Sequence, residues 1–232
     1  LTAIPLGAGF TREPCEGEDR ALCSGRRELA DGIRQAGIDV VSLASPDIAA
    51  RDPRAPRATR EILDRAGVGT LGAEAADPVF ARSLGPARVA VIGLDARREG
   101  AAAAAKKAVE RARGDASAVF AFAALDPAAG RAERRDALRA IADAARPEVL
   151  VGHHGGPFDG AERRGETLLL HNPGPLLAAD EPPSGAECSF VFKVFFDGAD
   201  PAWIEGVPIR LLEGRSRDAL RESAHEAVND LA

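Results

Sequence analysis

The chain is 232 residues long, with 30 Lys+Arg against 36 Asp+Glu for a formal net charge of −6, and 45% of its residues are hydrophobic. That balance leaves no basic surplus to grip a phosphate backbone, which argues against a nucleic-acid partner, and it is too apolar for a disordered chain. No apolar run approaches the ~18–20 residues that cross a bilayer, so no membrane span is expected.

The sequence contains no Met, so a processed or trimmed chain is expected, with a removed export signal as one cause. Only Lys106, Lys107 and Lys193 are lysines, and the Arg excess reads as compositional bias rather than chemistry. In chain order, Gly7-Ala8-Gly9 comes first; it lacks both the P-loop lysine and the full dinucleotide-loop spacing, so no nucleotide is expected there. Cys15 and Cys23 follow, with seven residues between them, in a polar stretch. In an oxidising compartment they could close a short surface loop; the alternative is two unrelated thiols.

Arg26–Ala36 has Leu29, Ile33 and Ala36 on one helical face, and Gly37 stops it. Ile38–Ala44 (IDVVSLA) is β-branched and almost wholly apolar, as a strand buried on both faces should be. Thr59–Ala66 predicts a second helix with Ile62 and Leu63 inward, and Val68–Leu71 a short strand. Arg88–Leu94 (RVAVIGL) predicts a buried strand, and Ala101–Arg113 an Ala-rich helix of high intrinsic propensity. Ala118–Ala124 (AVFAFAA) predicts another strand, and Arg131–Ala145 a helix burying Leu138, Ile141 and Ala142. Glu148–Val151 leads into Gly152-His153-His154.

Thr167–Leu170, Phe190–Phe196 and Val207–Leu212 predict further strands, separated by a Pro-rich loop over Leu170–Gly185. Phe192, Phe195 and Phe196 in one strand imply that both its faces are covered, and Cys188 ahead of it reads as a buried small hydrophobe. Ser216–Leu231 predicts a closing amphipathic helix. Strands alternating with helices of this length indicate an α/β layered protein.

In such folds chemistry sits where strands end at the carboxyl edge. Three ends bear polar residues: Ser45-Pro46-Asp47 through Asp52, Leu125-Asp126-Pro127, and Gly152-His153-His154-Gly155-Gly156 with Asp159 and Glu162 nearby. Neutral imidazoles of His153 and His154 could bind a transition metal or move protons near neutral pH. Adjacent positions on an extended chain face opposite ways, however, which disfavours both serving one ion. Asp47 could ligate a hard cation, although Asp after Pro is also an ordinary turn opener. His171 and His225 read as structural or solvated, and no GxSxG elbow is present.

These segments in this order resemble the CapA family of poly-γ-glutamate capsule synthesis proteins, which have a calcineurin-like metallophosphoesterase fold. The stretch from AGIDVVSLASPDIAARD to RVAVIGLDA is similar to the family's core, and EVLVGHHGGPFDG looks like its Gly-His-His-Pro-His loop. TLLLHNPGPLL and FKVFFDGADPAWIEGVPIRLLEG resemble its closing segments. The likeness covers nearly the whole chain and implies a single metallophosphoesterase-like domain, residues 1–232: an α/β fold forming a four-layer α/β/β/α sandwich. The family's two cations are held by Asp, Asn and His at strand ends. Matched by position, this chain has Gly7-Ala8 for the first Gly-Asp, Ser45-Pro46-Asp47 for Asn-Asn-His, Ala123-Ala124 near the His-Trp position, and Gly156 for the second His of the pair.

His154 is kept and Asp47 is a substitute, so any catalytic role would rest on His154 and Asp47 and any metal on His153, His154 and Asp47. No cofactor is expected beyond a weakly held Mn or Zn ion. The resemblance therefore implies a scaffold whose reaction centre is dismantled: an extracytoplasmic binding or structural subunit with other protein subunits at the cell surface as partners. One alternative is an active metal-dependent phosphoesterase, CapA-like or 5′-nucleotidase-like, with an altered metal site that also uses Asp126 or Asp159. Another is a fragment of a larger secreted protein whose functional part lies elsewhere.

Overall fold

The computed structural model describes residues 1–6, 27–44, 48, 54–72, 79–175, 188–198, 200–212 and 215–218. Strands β1 (Ala3–Pro5), β2 (Val40–Ser42) and β3 (Gly69–Leu71) form a parallel three-stranded sheet in that order. The connections between them carry α1 (Arg27–Gln35) and α2 (Ala55–Arg65). Helix α2 begins one turn before the sequence-predicted start. Pro56 lies in its first turn, where the missing N–H has no intrahelical partner to lose, so the helix can open there.

The central sheet has six strands in the order β4-β5-β6-β7-β9-β8. They are β4 (Val79–Leu84), β5 (Ala87–Asp95), β6 (Ala118–Ala124), β7 (Val149–His153), β8 (Ala161–Arg164) and β9 (Thr167–Leu170). β5, β6, β7 and β9 run parallel, and β4 and β8 are antiparallel edges. Helices α3 (Ala101–Arg113) and α4 (Arg131–Ala145) make the crossovers. A third sheet is the antiparallel β10 (Cys188–Asp197), β11 (Asp200–Leu212) and β12 (Arg215–Asp218).

Alternation along the central strands sends side chains into two separate cores. Ile92, Leu94, Val119, Ala121, Leu150 and Leu169 pack against Val109, Leu138 and Ile141 of α3 and α4. Their neighbours Val91, Phe122, Val149, Val151 and Leu170 face the other way, onto Val40 and Leu71 of the first sheet and Phe192, Val194 and Ile204 of the third. The far face of the first sheet is closed by a third core, where Val41 and Leu43 meet Ala30, Ile33 and Leu63 of α1 and α2. Helices, sheet, sheet and helices therefore follow one another in space, and the fold is α/β.

Two expectations are corrected. Residues 215–218 are not helical but form β12, which pairs with Ile209–Leu212; only two residues separate the strands, a length that suits a hairpin. The remainder of the expected Ser216–Leu231 helix lies outside the described residues, as does most of the Pro-rich loop. Cys188 is an exposed free thiol rather than a buried one, because it is the first residue of β10 and has left the packed part of that strand. Cys15 and Cys23 lie outside the described residues.

Candidate functional site

Three parallel strands end in register at the carboxyl edge of the central sheet. Asp95 of β5 is paired with Ala124 of β6, and Ala124 with His153 of β7. All three share the parity of Val91, Phe122 and Val151, so they form a row on the face turned toward the other sheets. With strands about 4.8 Å apart, Asp95 and His153 stand about 10 Å from each other with Ala124 between them. Asn172, two residues past Leu170 at the end of β9, continues the row by the same alternation.

Three members of the row, Asp95, Ala124 and Asn172, are already committed or inert. Asp95 is held by both nitrogens of an Arg97 fork, Nε and Nη2 each at 2.8 Å, and by Arg98 Nε at 3.4 Å. Ala124 has no donor atom to offer and is buried. The amide of Asn172 donates to the carbonyls of Gly156 (2.6 Å) and Pro157 (2.7 Å), which fastens the loop after β7. His153 is 9% exposed, and its Nε2 is buried without a hydrogen-bond partner. Burial, and secondarily the adjacent His154, push its pKa down to about 4, so the imidazole is neutral.

His154 leaves the strand on the opposite side, toward the N-terminal turn of α4. Its pKa is lowered by burial and by the Arg134 charge, with Asp159 opposing. The Gly156 N–H donates to its Nδ1 at 3.2 Å, which assigns the ring proton to Nε2, a buried atom without a partner. Gly156 allows this: a Cβ there would lie 2.5 Å from His154 Cε1. A side chain at position 156 and the present His154 ring therefore exclude each other. Gly152 is constrained just as tightly from the helical side, where a Cβ would meet Leu138 Cδ1 at 2.5 Å and the His171 carbonyl at 2.6 Å.

The carboxylates near the histidines belong to an arginine network. Asp159, buried, accepts from Arg131 and Arg135 of α4. Glu162 accepts both nitrogens of an Arg139 fork at 2.8 and 2.9 Å. Arg139 is the main reason the Glu162 carboxyl falls to about 2. His171 is fully buried beside this pair, with Nε2 3.6 Å from Glu162 Oε1, and burial followed by the Arg135 charge lowers its pKa. Asp126 is exposed and accepts from the Ala128 N–H at 2.9 Å, an ordinary turn role.

The sequence-predicted candidates thus do not converge on one point among the described residues. His153 and His154 are adjacent but face opposite sides, Asp126 closes a turn, and Asp159 and Glu162 pair with arginines. No group of three or more His, Cys, Asp or Glu side chains is placed to share an ion among the described residues. Asp47, Ser45 and the Gly7–Gly9 segment lie outside them, as does His225. The half of the site contributed by β5, β6, β7 and β9 does not fit a two-cation centre: its middle position is an alanine and its carboxylate is neutralised by guanidinium. Sequence reasoning missed Asp95 and Asn172. The signal for Asp95 was available, an acidic residue directly ending the apolar run RVAVIGL.

A family model described as "Bacterial capsule synthesis protein PGA_cap" matches residues 9–174. Among solved structures, the chain is similar to a hypothetical protein from Thermus thermophilus, with a TM-score of 0.52 and 15% identity over 78% of this chain and 79% of that one. That likeness speaks for the fold alone. No curated protein matches the chain.

Proposed function

The chain belongs to the PGA_cap family of bacterial capsule synthesis proteins, and from that premise we propose that it is a non-catalytic member, an extracytoplasmic binding or structural subunit of a cell-surface assembly. The observation that carries this reading is the edge row Asp95–Ala124–His153. Two-metal phosphate chemistry needs cations about 3.5–4 Å apart, each held by several oxygen or nitrogen ligands, to stabilise both the attacking and the leaving oxygen. Here the central position supplies no side-chain ligand, the flanking carboxylate is clamped by Arg97, and His153 is followed in the row by Asn172, whose amide is spent on loop carbonyls. A ligand set reduced this far favours retention of the framework for binding over turnover.

The family's role in capsule synthesis supports a location outside the cytoplasm. No helix among the described residues is long and apolar enough to cross a membrane. The decisive experiment is a phosphoesterase assay of the purified chain with added Mn²⁺ and a generic aryl phosphate, run beside elemental analysis of the protein. The expected result is no turnover above the blank and substoichiometric metal, unchanged in His154→Ala. Metal-dependent turnover that is lost in His154→Ala or Asp47→Ala would overturn the proposal and favour a hydrolase with an altered centre.

A further inference from the structure

The β10–β11 hairpin has two unlike faces. The inner one, with Phe192, Val194 and Ile204, packs on the central sheet, while Phe196 stacks on Phe120 at 6.2 Å between ring centroids. The outer one has three cross-strand rows set by the register: Val191 with Val207, Lys193 with Glu205, and Phe195 with Trp203. Trp203 is 59% exposed and Val191 39%, two of the few large hydrophobics left in solvent among the described residues. Phe195 and Trp203 stack at 4.8 Å with a 16° interplanar angle, forming a flat aromatic plate. Between the two apolar rows, Lys193 Nζ lies 3.6 Å from Glu205 Oε2, with both side chains about half exposed.

We propose that this outer face is a contact surface between two copies of the chain, related by a two-fold axis parallel to the strands. The pattern of charge selects both the occupant and the axis. A two-fold along the strand direction lays β10 of one copy over β11 of the other. Each Lys193 then faces the partner's Glu205, each aromatic plate meets its counterpart, and the valine rows meet. The face is self-complementary, as an isologous interface must be. A two-fold across the strands would instead place Lys193 on Lys193 and Glu205 on Glu205, a repulsive arrangement. The paired charges would close into an alternating square of four, flanked by apolar surface that becomes dry. Six residues per copy is a small patch, so the association belongs with weak, transient interfaces. This inference does not depend on whether the chain is catalytic.

Sedimentation velocity of the full chain from about 1 to about 500 µM tests it, because weak interfaces dissociate in that range. Trp203 is the only tryptophan, so its emission reports the face directly. The expected result is a mass that rises toward the dimer, with a blue shift and reduced acrylamide quenching over the same concentrations. Lys193→Glu and Glu205→Lys each weaken association by about tenfold or more through like-charge contact. The combined K193E/E205K variant restores it, since the reversal recreates both pairs, and Trp203→Ala abolishes it. A chain that stays monomeric throughout overturns the proposal. So does a dimer that ignores the single reversals, or a double reversal no better than either single one. Circular dichroism of each variant separates loss of contact from loss of fold.

Discussion

A buried imidazole is costly to protonate, and His153, whose Nε2 has no hydrogen-bond partner, is such a group. Its pKa falls from 6.5 to about 4 because its burial excludes the charged form. Below pH 6.5 the unfolded chain takes up a proton that the folded chain refuses. Stability is therefore lost as pH falls from about 6.5 to about 4, by roughly 3 kcal/mol if the full difference is expressed. His154 and His171 are lowered as well and act in the same direction. Urea midpoints followed by circular dichroism across that range should show the decline. The His153→Leu variant should show a shallower one, and an identical slope in both proteins would remove His153 as a cause. At this scale the sequence was partly legible. Alternation alone predicts that His153 and His154 face apart, and the resemblance points to an alanine near the middle of the site. The roles of Asp95 and Asn172 were not legible, because they depend on which distant strands lie side by side and in what register.

At the scale of elements, the loop after β7 is fastened to its surroundings from three directions. Asn172 holds its backbone, Phe158 packs on Phe190 at 4.5 Å, and Asp159 is gripped by Arg131 and Arg135. Asp159→Asn removes the charge that two arginines share at a buried position. The expected cost is about 1–3 kcal/mol. Amides at the loop's base, Asp159 N–H to Asn172 O and His171 N–H to Gly160 O, should exchange faster in the variant. Unchanged midpoints and exchange would show the network to be energetically idle. Helices α3 and α4 and strands β6 and β9 were readable to the residue because pattern and propensity agree there. β1, β4 and β8 were not. β1 is only three residues long, and β8 (AERR) has no apolar alternation, so its strand character comes from pairing with β9. β4 is a half-polar edge that pairs, among the described residues, with β5 alone.

For the molecule as a whole, the layer order follows from strands that are apolar on both faces, since each must be covered twice. The sequence made those double-faced runs plain. What it could not convey is how the arginines are used. Their abundance read as bias, yet Arg97 on Asp95, Arg139 on Glu162 and Arg164 on Asp143 are two-pronged pairs that a lysine's single ammonium cannot reproduce. They tie a strand end to its own loop and helix α4 to the edge strand β8.

Those forks bear on the choice of denaturant. Guanidinium ion is the same head group in free solution, and at molar concentration it competes for each clamped carboxylate while its salt screens what remains. Urea does neither. Unfolding free energies extrapolated to water should therefore come out lower from guanidinium chloride than from urea, and sodium chloride added to the urea series should narrow the gap.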